Sequence, residues 1–463
     1  MCTEAVSAWK NDLRGTAEME CQFVLQGKSI IGLVQTADVM RPTEPVSAAS
    51  DTIRGIKTRA KLIGSEYSKL HRRIEKEHRH TARSHSLKMT TSIRCFLHDY
   101  RLSEGSDTRM LLLKCSKLVD FCNLDILTEV GEMFSKLVDT LLEENVRTIV
   151  SELANSNSPI QAQCILAVIN NLVDNSQHLS NILAREGGVG VLLNFVTTQR
   201  FKPIRAHCLH ALAKTCCDRE SIVELERIGG LIITINLLSD PEEEEIVRAE
   251  AAGLIAQLSS PDLDYRMPSL IEKSVDLIKF LTELCNIAKR ADTFLLSIAS
   301  LANFTFMRTS HTFVQLNTVV TLTDVYSKHK DHAVYIQDQL ATILANLSSS
   351  ETLALIDCGA VSMSCRLIEN VQLDGSDASM RAVQKAAIAL TRLCKTSKET
   401  NQAAKFTNCY EKLLQIQQDD RISNTIRLTC LAAAQKIRTS LSQTSLIESL
   451  KRVSIRDKSV VVQ

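Results

Sequence analysis

Glycine and proline are scarce in this 463-residue chain, at 15 and 7 residues, both well under the roughly 7% and 5% usual in soluble proteins. A chain with so few places to turn sharply or leave a helix is poorly suited to a mostly-β fold. The prolines stand at 42, 45, 159, 203, 241, 261 and 268, so residues 46–158 and 269–463 contain none. Long helical arrays suit that spacing. No hydrophobic run is long enough to span a bilayer, and no secretory signal opens the chain. The 15 cysteines include no C-x-x-C pair; scattered in this way, they are expected as small core residues of a reduced, intracellular protein. An excess of one charge is also missing, because 54 Lys+Arg nearly cancel 53 Asp+Glu to leave a formal +1.

What is present is a repeat. Ile169-Asn170-Asn171-Leu172, Leu212-Ala213-Lys214-Thr215, Ile255-Ala256-Gln257-Leu258, Leu301-Ala302-Asn303-Phe304, Leu344-Ala345-Asn346-Leu347 and Leu390-Thr391-Arg392-Leu393 share one pattern, with a weaker copy at Gln435. Their polar third positions are spaced 43, 43, 46, 43, 46 and 43 residues apart. A large aliphatic beside a small residue, recurring at fixed phase, is what closely stacked helices need in order to interdigitate. Between these segments Gly187-Gly188, Gly229-Gly230 and Gly359 follow short apolar runs, where glycine can end one helix in a left-handed cap and start the next at a steep angle. Pro159, Pro203 and Pro241 precede ladder positions and are expected in first helical turns. Residues 259–290 lack the glycine turn, which points to an irregular repeat.

Three helices in 40 to 47 residues is the armadillo pattern. The expected fold is an all-α armadillo superhelical solenoid whose third helices line a concave groove. Asn171, Lys214, Gln257, Asn303, Asn346 and Arg392 are the candidate groove residues. Armadillo ladders usually carry Asn, whose amide both donates to and accepts from a peptide backbone. Lys214, Gln257 and Arg392 depart from it, so an acidic ligand is expected near Lys214 or Arg392. The alternative is that ladder side chains satisfy neighbouring helix ends.

The expected organisation is a docking segment over residues 1–30, a flexible linker over 31–53, and a basic neck with capping helices over 54–155. Armadillo repeats follow over 156–440, then a helix and tail over 441–463. In the first segment Val6, Trp9 and Leu13 share a helical face, as in a groove-docking peptide anchored by Trp or in an extra helix folded back on the array. Residues 54–101 hold thirteen basic against four acidic residues, a surplus of +9, and the other 415 carry −8. That surplus suits an acidic protein partner, anionic lipid at the cortex, or a solvated face; with few stacking aromatics, nucleic acid ranks last.

Gly187-Gly188-Val189-Gly190 lacks the Lys-Ser/Thr of a phosphate loop. His207, Cys208, His210, Cys216 and Cys217 offer ligand atoms, but on a helix they suit core packing better than zinc. With no H-E-x-x-H or G-x-S-x-G motif in the chain, the expectation is a non-enzymatic protein without metal or cofactor. Glu242 to Glu245 suit a helix N-terminus.

The run Trp-x-x-Asp-Leu, Glu-x-Glu-Cys and Leu-Gln-x-Lys over residues 9–28 resembles the N-terminal segment of the Inscuteable family, adaptors of asymmetric cell division. The similarity continues through Ala184-Arg185-Glu186-Gly187-Gly188-Val189, Arg248-Ala249-Glu250-Ala251-Ala252 and Ala256 to Pro261. The resemblance implies that Trp9, Asp12, Leu13, Glu18, Glu20, Cys21, Leu25, Gln26 and Lys28 dock in the tetratricopeptide groove of Pins (LGN in vertebrates). It also implies that the array binds the polarity scaffold Bazooka, placing the protein in the cytoplasm at the apical cortex and linking polarity to spindle orientation. Because the peptide is tethered to its own array, exchange between copies would build higher-order assemblies with Pins. The PDZ-ligand tail of some relatives is not carried over, since this chain ends in Gln463. The rival reading is a karyopherin- or catenin-like groove receptor for linear peptides, in which residues 9–28 would be superfluous.

Overall fold

A computed structural model describes residues 42–76, 79–102, 105–174, 176–307, 309–328, 333–372 and 376–438. The docking segment 1–30, residues 31–41 and the tail 441–463 lie outside the described residues. Those described are helical with no strand among them, and they form an all-α armadillo solenoid that divides into two compact units between Ile204 and Arg205.

The N-terminal unit opens with α1 (Glu44–Glu75). Residues 44–53, expected as linker, are its first turns. Pro45 sits in the first turn, where a missing N–H costs nothing. Val46, Ala49, Ile53, Ile56, Ala60, Ile63, Tyr67 and Leu70 alternate at three- and four-residue steps, a heptad stripe that begins before the expected boundary. Val46, Ile53, Ile56 and Leu70 are fully buried. Thus Pro42-Thr43-Glu44-Pro45 marks a helix start rather than a flexible spacer.

Three helices complete the bundle: α2 (Arg79–Asp99), α3 (Ser106–Phe121) and the 31-residue α4 (Leu124–Ala154). α1 packs against α2 and α4, and α3 against both α2 and α4. The far end of α4, through Val146 and Ile149, is covered by α5 (Pro159–Asp174) and α6 (Gln177–Arg185). The first repeat helix therefore folds with the neck, and with it go α7 (Gly188–Thr197) and a 3-10 turn (Gln199–Ile204). The boundary between the compact units thus falls after 204.

The C-terminal unit stacks third helices in sequence: α8 (Arg205–Thr215), α11 (Glu245–Leu258), α14 (Ala291–Phe304), α17 (Val334–Leu347) and α20 (Asp377–Leu393). Between them lie pairs of shorter helices: α9 (Arg219–Arg227) and α10 (Gly230–Ser239), α12 (Pro268–Glu272) and α13 (Ser274–Ile287), α15 (Ser310–Gln315) and α16 (Thr318–Lys328), α18 (Thr352–Asp357) and α19 (Ala360–Asn370). α21 (Ser397–Ala404) and α22 (Thr407–Gln418) follow, and residues 424–438 form a last helix. Every residue of α11 from Val247 to Leu258 is buried, because third helices flank it on both sides. The small columns make this fit: Ala256 meets Ala299, and Ser300 Oγ donates to the Ala252 carbonyl at 2.6 Å.

The first-to-second helix turns are left-handed at Gly187, Gly229 and Gly359, with φ of +81°, +75° and +80°. Asn317 takes the same role at φ +52°; its side chain tolerates that region better than most. The irregular repeat has no such turn, and α12 has only five residues. Pro159 begins α5, as expected, whereas Pro203 lies in the 3-10 turn before α8 and Pro241 in a turn before α11.

Candidate protein-binding surface

The last turn of any helix leaves carbonyl oxygens without intrahelical donors. In the C-terminal unit, ladder side chains supply them from the next repeat. Asn303 Nδ2 donates to the Ala256 carbonyl at 2.8 Å, and Arg392 Nη1 to the Ala345 carbonyl at 2.7 Å. In both cases the acceptor directly precedes the ladder residue of the earlier helix, 47 positions back. Asn346 Nδ2 donates instead to Thr305 Oγ1 at 2.7 Å, just past the end of α14. Asn303 is 2% exposed; Asn346 and Arg392 are half-buried. These three side chains fasten repeat to repeat.

The remaining ladder positions differ. Gln257 is buried in α11. Lys214 is half-buried, and burial pushes its ammonium down to about 8, with Glu250 partly offsetting this. Asn171, in the N-terminal unit, is exposed beside a cleft between α1 and α5. Burial also lowers the Arg392 guanidinium from its ordinary value.

Charged groups absent from the predicted set also lie on the third helices. Asp338 of α17 has no solvent exposure and accepts from Lys385 Nζ at 2.7 Å and Arg381 Nε at 3.4 Å, both on α20. His210 Nδ1 lies 3.0 Å from Glu250 Oε2 in a buried pair across α8 and α11, while Cys208 and Cys216 are fully buried core residues. Their thiols are pushed up by burial, which makes them inert rather than nucleophilic. No group of His, Cys, Asp or Glu among the described residues is placed to hold a metal.

The acidic run after Pro241 does more than complement a helix end. Glu243 pairs with Arg205 at 2.7 Å, and Glu245 accepts from the Lys289 and Arg290 backbone amides at 3.0 and 3.1 Å. In the first helix of the same repeat, Glu226 takes the Tyr265 hydroxyl and Ser269. A single-residue period cannot reveal such pairs, because each joins positions about one repeat apart.

Part of the basic surplus in 54–101 is neutralised within its own unit. Glu66 receives Lys69 at 3.2 Å and Lys88 at 3.0 Å, and these contacts, Lys88 first, hold its carboxyl down to about 2. Arg59 pairs with Asp99 and lies over the Tyr100 ring. The sequence-predicted docking residues Trp9, Asp12, Leu13, Glu18, Glu20, Cys21, Leu25, Gln26 and Lys28 are outside the described residues.

The family model described as "Protein inscuteable C-terminal" matches residues 59–458. A mouse (Mus musculus) protein named "Protein inscuteable homolog" is 26% identical over 477 residues, covering 94% of this chain and 82% of the relative. Among solved structures, an engineered protein aligns at a TM-score of 0.50 and 16% identity, over 90% of this chain and 99% of its own. A designed armadillo repeat protein aligns at 0.42 and 16% identity, over 53% of this chain and 98% of its own. The described residues include no helix long and apolar enough to cross a membrane.

Proposed function

The chain belongs to the inscuteable family, and on that premise we propose that it is a non-enzymatic adaptor that joins two partners through two separate parts. Residues 1–30, anchored by Trp9 and Leu13 with Asp12, Glu18 and Glu20 as charged contacts, dock in the tetratricopeptide groove of Pins/LGN. The armadillo array holds a Bazooka-type polarity scaffold. Together these contacts tie the polarity complex at the apical cortex to the machinery that orients the spindle. Membership of the family and the all-α solenoid fold support this reading.

The observation that carries this reading is the use of Asn303, Asn346 and Arg392 between repeats. A receptor that reads an extended peptide through a uniform amide ladder needs those donors for its ligand. Here those three brace the array as a platform, and attachment to Pins falls to the chain's own N-terminal segment. This favours the adaptor over the karyopherin- or catenin-like receptor.

A pull-down of the Pins tetratricopeptide domain and of Bazooka, using the full chain and a chain lacking residues 1–30, separates the two. The adaptor loses Pins and keeps Bazooka. Retention of Pins by the truncated chain overturns the assignment.

A further inference from the structure

Several cations of the N-terminal unit face a carboxylate, among them Arg59, Lys69, Lys88 and Arg147. Lys57 on α1 is different. It is half-buried, yet it has no ion pair among the described residues. Burial alone lowers its ammonium from the ordinary value, the signature of a desolvated charge with no counter-ion.

Lys57 lines a cleft of about 460 Å³ between α1 and α5. Ser50, Arg54 and Lys57 form one wall, and Cys164, Val168 and Asn171 form the other. Both triplets are spaced i, i+4, i+7, so each wall is a single helix face running about 10 Å. An extended chain places about three residues in that length. Arg54 is tied only to Asp51, at 3.5 Å with both side chains 71% exposed, a contact that solvent screens and a ligand can displace. One wall therefore offers two cations, and the other an amide at the first position of the ladder.

We propose that this cleft is a docking site for an acidic peptide segment of a protein partner, its carboxylates meeting Lys57 and Arg54 and its main chain meeting the Asn171 amide. A lipid leaflet cannot enter a concave slot between two helices. Single-stranded nucleic acid would need stacking surfaces, and no aromatic side chain lines the cleft. The site deepens the reading of the array as a protein-binding surface, and rests on it, by giving the Asn171 end of the ladder a ligand chemistry. It also assigns a task to two cations of the basic neck.

The test uses the full chain and a fluorescein-labelled synthetic peptide rich in glutamate with interspersed leucine and glycine, followed by anisotropy at moderate salt. Since the probe is neither Pins nor Bazooka, its result is independent of whether those partners bind. Saturable binding is expected, weakened about tenfold by Lys57→Glu and clearly by Asn171→Ala. Lys61→Glu makes the same charge change at an exposed position outside the cleft and should alter affinity by no more than about twofold. If thermal melting shows Lys57→Glu to be unfolded, Lys57→Gln carries the test. The proposal fails if Lys61→Glu and Lys57→Glu weaken binding equally, or if the peptide does not saturate. It also fails if anionic vesicles or single-stranded RNA compete for Lys57 more strongly than the peptide does.

Discussion

Asn303 reaches back across one repeat to the carbonyl of Ala256, 2.8 Å away, at the last turn of the preceding third helix. The bond is buried, so its loss leaves an acceptor with no water to replace the donor. Asn303→Ala is expected to lower stability by about 1–3 kcal/mol, read as a shift in the urea midpoint of the full chain. A side chain serving mainly to read a bound peptide would instead lower affinity and leave the midpoint where it is.

The Asp338 triad should be more sensitive. With Asp338 and Lys385 both out of solvent, Asp338→Asn leaves an ammonium buried without its carboxylate. The expected loss is about 3–5 kcal/mol, measured by thermal and urea unfolding. Replacing both members, as Asp338→Leu with Lys385→Met, removes the buried ammonium and leaves only the part-exposed Arg381 without this carboxylate, so it should recover part of the loss. Equal losses in the single and double variants would show that the acid and the base do not act as a pair.

The repeat was legible because its columns are local: Leu301-Ala302 and Leu344-Ala345 recur at fixed phase, and Gly229 stands where a left-handed turn is needed. The start of α1 is masked in the sequence by Pro42 and Pro45, which suggest a linker, although proline in a first turn stops nothing and the heptad already runs from Val46 to Leu70. Asn317 escaped notice because a left-handed Asn leaves no signal as strong as glycine. Ladder chemistry was legible as residue type but not as role. Whether Asn303 faces a ligand or a carbonyl depends on the register between helices 47 residues apart, which no periodicity in one segment specifies. Asp338 with Lys385 is hidden for the same reason, and the docking residues from Trp9 to Lys28 rest on resemblance alone.

Lys214 makes stability depend on pH in a particular direction. Its folded value of about 8 lies below the unfolded value near 10.4. Below pH 8 both states hold the proton and the fold bears the cost of burying charge. Between about pH 8 and 10 the unfolded state binds more protons, so this group's contribution to stability rises with pH. Lys214→Met should remove that rise and add about 1 kcal/mol at neutral pH, a figure discounted for the solvent that still reaches the ammonium. Melting curves of both proteins across this window check the sign; a parallel pair of curves would refute it.

Gly230 should tolerate no side chain. A Cβ there would stand 2.3 Å from Leu225 Cδ1 and 3.0 Å from the Leu225 carbonyl, whereas at Gly190, also in a second helix, nothing lies within 4 Å. Gly230→Ala is expected to cost about 1–3 kcal/mol through overpacking. Gly190→Ala should gain up to about 1 kcal/mol by removing a flexible residue from a helix. Opposite shifts in melting temperature are the expected outcome, and a loss at both sites would mean that backbone freedom rather than contact with Leu225 sets the requirement.

The proposed division of labour can be tested within the docking segment itself. If Trp9 fills a pocket in the Pins groove, Trp9→Ala removes a large apolar anchor, and losses of about 2–4 kcal/mol are usual for such positions. Reversing Glu18 and Glu20 to Lys converts charge-assisted contacts into repulsion, each worth about 1.5–3 kcal/mol when well made. Calorimetry of the full-length variants against the Pins tetratricopeptide domain should therefore show severe weakening, with melting curves that match the unaltered chain. An unchanged affinity would place Pins binding elsewhere on the protein. A lowered melting temperature would point to a different role, a helix folded back on the array, in which Trp9 packs against this chain rather than a partner. The two measurements together distinguish a tethered ligand from an extra structural helix.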